Sequence, residues 1–186
     1  MKIQSYISQI LNELGETLGH IRNDSAEKLA DTILAAETIF VAGAGRSGLA
    51  MKSFAMRLMH MGFDTYVVGE TVTPSITNKD VLLIGSGSGS TGSLVVSSNK
   101  ADAIGAPICL ITIDENSPIA QVAQVVLTIP APSPKVNRDL GFRSVQPMGS
   151  LFEQSLLLTL EAIVLLLMRK TGKTTELMFT RHANLE

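Results

Sequence analysis

Tryptophan is absent from this 186-residue chain, aromatic residues make up only 4% of it, and cysteine occurs once. A lone thiol cannot close an internal disulfide, so the fold has to stand on burial alone. Cys109 lies inside the apolar run Ile108-Cys109-Leu110-Ile111 and is expected to be a small core residue in a reducing compartment. Neither charge is in excess: 15 basic against 17 acidic residues leave a net −2. That balance offers no basic stripe for nucleic acid and no attraction to an anionic membrane. Also missing is a long unbroken apolar run. The best, residues 156–168, is interrupted by Thr159 and Glu161 and is short for a bilayer span. Polar residues break up positions 1–18, so no secretory leader pattern is expected there. The histidines, at 20, 60 and 182, are scattered without ligand spacing, so no metal is expected. These absences predict a soluble, cytoplasmic protein with neither nucleic-acid nor membrane partners.

What is present is ample core material: 45% of the residues are hydrophobic, eight of them methionine, enough for one packed domain over 1–186 and for an apolar subunit interface. Ile3, Ile7, Ile10, Leu11, Leu14 and Leu18 recur at steps of three and four, which predicts an opening helix, with a second over 25–36. Short β-branched or apolar runs follow at 38–42, 65–68, 81–84, 108–112 and 125–129, separated by helical segments. Runs apolar on both faces, joined by crossovers long enough for helices, predict a three-layer α/β/α sandwich around a five-stranded parallel sheet. The expected strand order is the flavodoxin-like 2-1-3-4-5. The N-terminal helices would cover 1–36, the α/β core 38–170 and a tail 171–186. Residues 130–148 carry four prolines and four charges and are expected to be a long loop. A last helix is expected over 149–170. The tail has no periodicity, so a frayed end is as good a reading as a substrate-binding one.

Two glycine-rich turns stand out. The first, Gly43-Ala44-Gly45-Arg46-Ser47-Gly48, follows the first strand; the second, Gly85-Ser86-Gly87-Ser88-Gly89-Ser90-Thr91, follows the third. In the second, hydroxyls and unhindered N–H groups would gather at the positive end of a helix, a place that holds an anion without a buried lysine. A flexible Gly/Ser linker is the competing reading, weakened by the strand-like and helix-like segments on either side. With strand order 2-1-3-4-5, both turns open at one sheet edge and can share a ligand. The first turn also satisfies G-x-G-x-x-G, with Glu70 where a ribose-binding acid would fall, so a dinucleotide is an alternative ligand. Against it stand the two preceding helices and the short remainder of chain. Arg46 and Ser47 suit a phosphomonoester equally well.

These residues resemble the sugar isomerase (SIS) domain family. Gly45-Arg46-Ser47 matches its first loop, and Ser86-Gly87-Ser88-Gly89-Ser90-Thr91 its Ser-x-Ser-Gly-x-Thr phosphate loop. The segment Gln146-Pro147-Met148-Gly149-Ser150-Leu151-Phe152-Glu153-Gln154 and the ending Arg181-His182-Ala183-Asn184-Leu185-Glu186 narrow the likeness to a branch of that family. The resemblance implies interconversion of D-arabino-3-hexulose 6-phosphate and fructose 6-phosphate, a step of formaldehyde fixation by the ribulose monophosphate route. It also implies tetramers and neither a metal nor an organic cofactor. Another phosphosugar aldose-ketose isomerase, or a sensor module that binds a sugar phosphate without chemistry, are the alternatives.

Such an isomerase needs a carboxylate to move a proton between adjacent carbons, and the resemblance puts Glu153 in the base position. Without it, Glu153 reads as an ordinary first-turn glutamate. Arg46, Ser47, Ser86, Gly87, Ser88, Gly89, Ser90 and Thr91 are the expected substrate contacts. His60, at the end of the helix that leaves the first turn, is a candidate to assist at the substrate carbonyl. Its place at a helix C-terminus, which favours the imidazolium, explains it equally well. Since that helix runs away from the ligand edge, His60 could serve a site only across a subunit boundary. His182, expected to bind substrate, has the same constraint. His20 reads as surface and Glu161 as a buried-face or interface polar residue.

Overall fold

The computed structural model describes residues 2–136 and 141–185. Positions 137–140 of the expected 130–148 loop lie outside the described residues. Two helices, α1 (Ile3–Gly19) and α2 (Asn23–Ala35), precede β1 (Ile39–Gly43). Then come α3 (Gly45–His60), β2 (Thr65–Val67), β3 (Val81–Gly85), α4 (Gly92–Ile104), β4 (Ile108–Thr112), α5 (Pro118–Val122) and β5 (Val125–Thr128). The chain ends with α6 (Ser150–Thr171) and the short α7 (Thr175–Phe179). All pairings are parallel, and the sheet order is β2-β1-β3-β4-β5, as the crossover lengths predict.

Alternation along the strands divides the core. Ile39, Val41, Val81, Leu83, Cys109, Ile111 and Leu127 face a layer built from α1, α2, α3 and α6. Phe40, Ala42, Leu82, Ile84, Ile108 and Leu110 face α4 and α5, where Leu94, Ala101 and Ile119 meet them. The inner strands β1, β3 and β4 are thus buried on both sides, which is why each reads as a continuous apolar run. Burial pushes the Cys109 thiol up to about 12, against a hydrogen bond from Thr32, so it is inert packing.

By length and composition α6 could cross a membrane. Here it is a core helix: Phe152, Leu156, Leu160, Ile163, Val164 and Leu167 are buried on the face turned to the sheet. Leu158 and Leu165 stay exposed, as do Ile3, Ile7 and Leu11 on α1.

Two details position the loops. The expected tail is not structureless: Thr174 accepts from the Leu177 N–H at 3.4 Å and starts α7. Three residues of the pre-α6 loop are tied to α1 by one carboxylate. Glu13 accepts from the Ser144 hydroxyl at 2.7 Å, the Val145 N–H at 2.6 Å and the Gln146 amide at 2.9 Å. Burial would raise the Glu13 pKa, but these hydrogen bonds outweigh it and hold the group below its ordinary value. Gln146 in turn accepts from Gln154 of α6 at 2.6 Å.

Candidate active site

β1 and β3 are neighbours whose following helices leave on opposite faces, so a crevice opens beyond their carboxyl ends. The turn after β1 is drawn tight. A methyl on Gly43 would come within 2.9 Å of the Gly48 Cα, and one on Gly48 within 2.8 Å of the Gly43 carbonyl oxygen. Strand and helix can approach this closely only with glycine at both positions.

The second turn is cross-braced. Gly87 O accepts from Thr112 Oγ1 at 3.1 Å and from Ile113 N at 3.0 Å, while Gly89 N donates to Ser86 Oγ at 3.2 Å. Gly89 has φ +57°, and a Cβ there would run into the Ser117 hydroxyl. The hydroxyl-bearing backbone is therefore a braced cradle and not a linker.

Both turns line one cleft of about 250 Å³. Its walls carry Arg46 and Ser47 from the start of α3, Ser86, Gly87 and Ser88 from the second turn, Thr91 at the N-cap of α4, and Phe152 and Glu153 from the first turn of α6. None of α3, α4 or α6 has a side-chain cap, so three helix starts turn uncapped N–H groups toward this cleft. The size suits a metabolite, and the donors suit an anion. Arg46 Nε donates to Glu153 Oε2, joining α3 to α6.

Seven of the eleven site residues expected from sequence therefore meet: Arg46, Ser47, Ser86, Gly87, Ser88, Thr91 and Glu153. Gly89 and Ser90 do not line the cleft: Gly89 shapes the turn from behind, and Ser90 faces the neighbouring polar groove with Asp114 and Asn116. His60 and His182 lie elsewhere. Fourteen residues of helix separate His60 from Arg46, ~21 Å at 1.5 Å per residue. The two imidazoles stack on each other with centroids 5.5 Å apart, and Phe179 stacks on His182 at 5.6 Å. The tail thus folds back on its own α3, so the two histidines travel as a pair. His60 is buried, 6% exposed, which pushes its pKa down, with Arg57 and His182 acting in the same direction. The imidazolium expected at this helix end is accordingly disfavoured: burial and two basic neighbours outweigh the helix dipole.

Glu161 does not lie on a buried face: it is half exposed, with Arg57 Nε 4.0 Å away. His20 is on the surface, its Nδ1 2.7 Å from the Glu16 carbonyl oxygen. Glu70 pairs with Lys52 at 2.7 Å outside the cleft, so the dinucleotide reading loses its ribose ligand.

Sequence reasoning missed the rim. Ser133, Pro134 and Lys135, from the loop after β5, close one side of the cleft, and Met148 overhangs another with φ +58°. The proline density marked this loop as functional without showing which side chains turn inward. A methionine in left-handed conformation leaves no sequence signal at all.

The SIS domain profile matches residues 32–169. The chain belongs to the SIS domain family. Relatives align along its whole length. A 3-hexulose-6-phosphate isomerase of Bacillus subtilis strain 168 is 49% identical over 186 residues, covering 100% of both chains. A protein of the same name from Mycobacterium gastri is 41% identical over 99% of this chain and 92% of its own. Among solved structures, a Methanococcus jannaschii protein, whose structure was taken to infer a function of 3-hexulose-6-phosphate isomerase, superposes with a TM-score of 0.85. It is 30% identical and covers 98% of this chain and 99% of its own.

Proposed function

We propose that this SIS protein is a 6-phospho-3-hexuloisomerase, interconverting D-arabino-3-hexulose 6-phosphate and fructose 6-phosphate in the ribulose monophosphate route. The observation that carries this reading is that a carboxylate, Glu153, stands on the wall of the same cleft as the hydroxyls of Ser47, Ser88 and Thr91. Full-length identity of 49% to a protein of that name supports the choice of substrate.

The phosphate would sit in the braced turn, held by the Ser86, Ser88 and Thr91 hydroxyls, the Gly87 N–H, Ser47 and Arg46. The carbon chain then extends toward α6. Glu153 takes the proton from C2 of the 3-hexulose; the C2–H electron pair forms the C2=C3 double bond of a cis-enediolate as the C3 carbonyl becomes an oxyanion. The same carboxylate returns the proton to C3, while the C2 hydroxyl passes its proton to the C3 oxyanion and becomes the new carbonyl, leaving a hydroxyl on C3. With Arg46 engaged by the phosphate, Lys135 is the cation on the cleft wall that can neutralise the enediolate.

We further propose a cytoplasmic homotetramer formed of one SIS unit per chain. The exposed Ile3, Ile7 and Leu11 of α1 and Leu158 and Leu165 of α6 are the apolar surface available for it. In such an assembly His60, with His182 stacked on it, would reach a neighbouring protomer's cleft, His60 donating to the substrate carbonyl. The test is a coupled assay supplying the 3-hexulose phosphate and following fructose 6-phosphate. Turnover is expected; tight binding of the sugar phosphate with no interconversion would overturn the enzymatic reading in favour of a sensor.

A further inference from the structure

We infer that Arg46 is a release catch for the general base: it holds Glu153 while the cleft is empty and passes to the phosphate when substrate enters. The inference rests on the assignment of Glu153 as the base.

Arg46 occupies the first turn of α3, where the helix dipole is positive and a guanidinium is disfavoured unless an anion lies beside it. In the empty cleft that anion is Glu153, whose Oε2 accepts from Arg46 Nε. Among the described residues no other carboxylate pairs with Arg46. The two members are unequally held. The Glu153 side chain is 20% exposed and anchored in α6, whereas that of Arg46 is 65% exposed, so the arginine is the one free to swing.

Beside it are Ser47 and the hydroxyls of Ser86 and Ser88 in the same cleft, where a phosphate would add a doubly charged competitor. Guanidinium binds phosphate through a two-pronged, charge-assisted contact, and exposed ion pairs such as the present one are weak. The exchange is therefore favourable in this direction. It also has a chemical consequence: a carboxylate bound to a guanidinium has lone pairs committed, and once released it can accept a proton from carbon. The phosphate would then do more than anchor the sugar, since its arrival also arms the base.

The experiment uses the full chain, with D-fructose as a substrate lacking the phosphate and inorganic phosphite as the detached anion. Incorporation of solvent deuterium at C3 of fructose is followed by NMR. In the wild type, saturating phosphite is expected to raise exchange by at least about tenfold, the equivalent of one charge-assisted contact. Arg46→Gln is expected to exchange fructose faster than the wild type when phosphite is absent, and to respond little to phosphite. The same variant should lose about tenfold or more in kcat/KM on the phosphorylated sugar. Arg46→Lys, which keeps the charge, should recover part of the phosphite response. If Arg46→Gln slows both sugars by one common factor, Arg46 only props Glu153 in place and the catch is refuted. An absent phosphite response in the wild type refutes it too. Failure of the base assignment looks different: Glu153→Gln would then retain full turnover of the phosphorylated sugar.

Discussion

The two ends of α3 make opposite use of the same kind of residue. At the N-terminal end, a basic side chain in an exposed first turn faces a carboxylate and a cluster of hydroxyls. At the C-terminal end, a basic side chain is buried against another imidazole, 5.5 Å away, with an arginine one turn back and 3.5 Å from its Nδ1. Arg46 sits against the helix dipole and His60 sits with it, yet local surroundings override the dipole in both cases. A countercharge secures the first, and burial keeps the second uncharged. Position along a helix is thus a poor guide to protonation and to role unless the neighbours are known.

The contrast can be broken most severely at the cleft. Glu153→Gln is expected to cut kcat by ~10²–10⁴-fold, the usual contribution of a positioned base, with KM little changed. An unaltered rate in the coupled assay would leave the cleft without its base. The far end is probed by subunit mixing. If His60 serves a neighbour, Glu153→Gln and His60→Ala should each be inactive alone, yet regain activity when co-refolded, because some clefts then combine intact residues from two chains. No recovery would confine His60 to packing. Next in size, Ser88→Ala and Thr91→Ala should each weaken substrate affinity by ~1.5–3 kcal/mol, read as a rise in KM with kcat nearly intact.

The smallest effect concerns pH. His60 titrates lower in the folded chain than its ordinary 6.5, so between those two values the unfolded chain takes up a proton that the folded chain refuses. Stability should fall as the pH drops through that window, by at most about 1.4 kcal/mol per pH unit, and level off below it. Denaturant titrations of the wild type and His60→Gln check this: the variant should show a flatter profile over that range.

Much of the architecture was legible because its causes are local. Strands buried on both faces write themselves as apolar runs, and glycine at 43 and 48 marks a turn that nothing larger can make. The meeting of Arg46 with Glu153 is another matter, since they are 107 positions apart and only the packing of α3 on α6 joins them. Lys135 and Met148 were invisible for a related reason: whether a loop side chain turns toward a cleft depends on elements distant in sequence. The α7 turn was missed because five residues are too few to show a period. The imidazolium expected at His60 was wrong because the residue is buried with its cover supplied in part by the tail, which no helix-end rule anticipates.

Glu13 lies outside the stretch that the SIS profile matches, yet its hydrogen bonds fasten the segment leading into the helix that carries Glu153. The opening helix is therefore a splint for the carboxylate proposed as the base. Cutting the chain back to the recognised core would strip Leu14, Leu29 and Ala30 from the layer over the sheet and also loosen the approach to α6. Grafting experiments that transplant this chemistry onto another scaffold will need to bring α1 along.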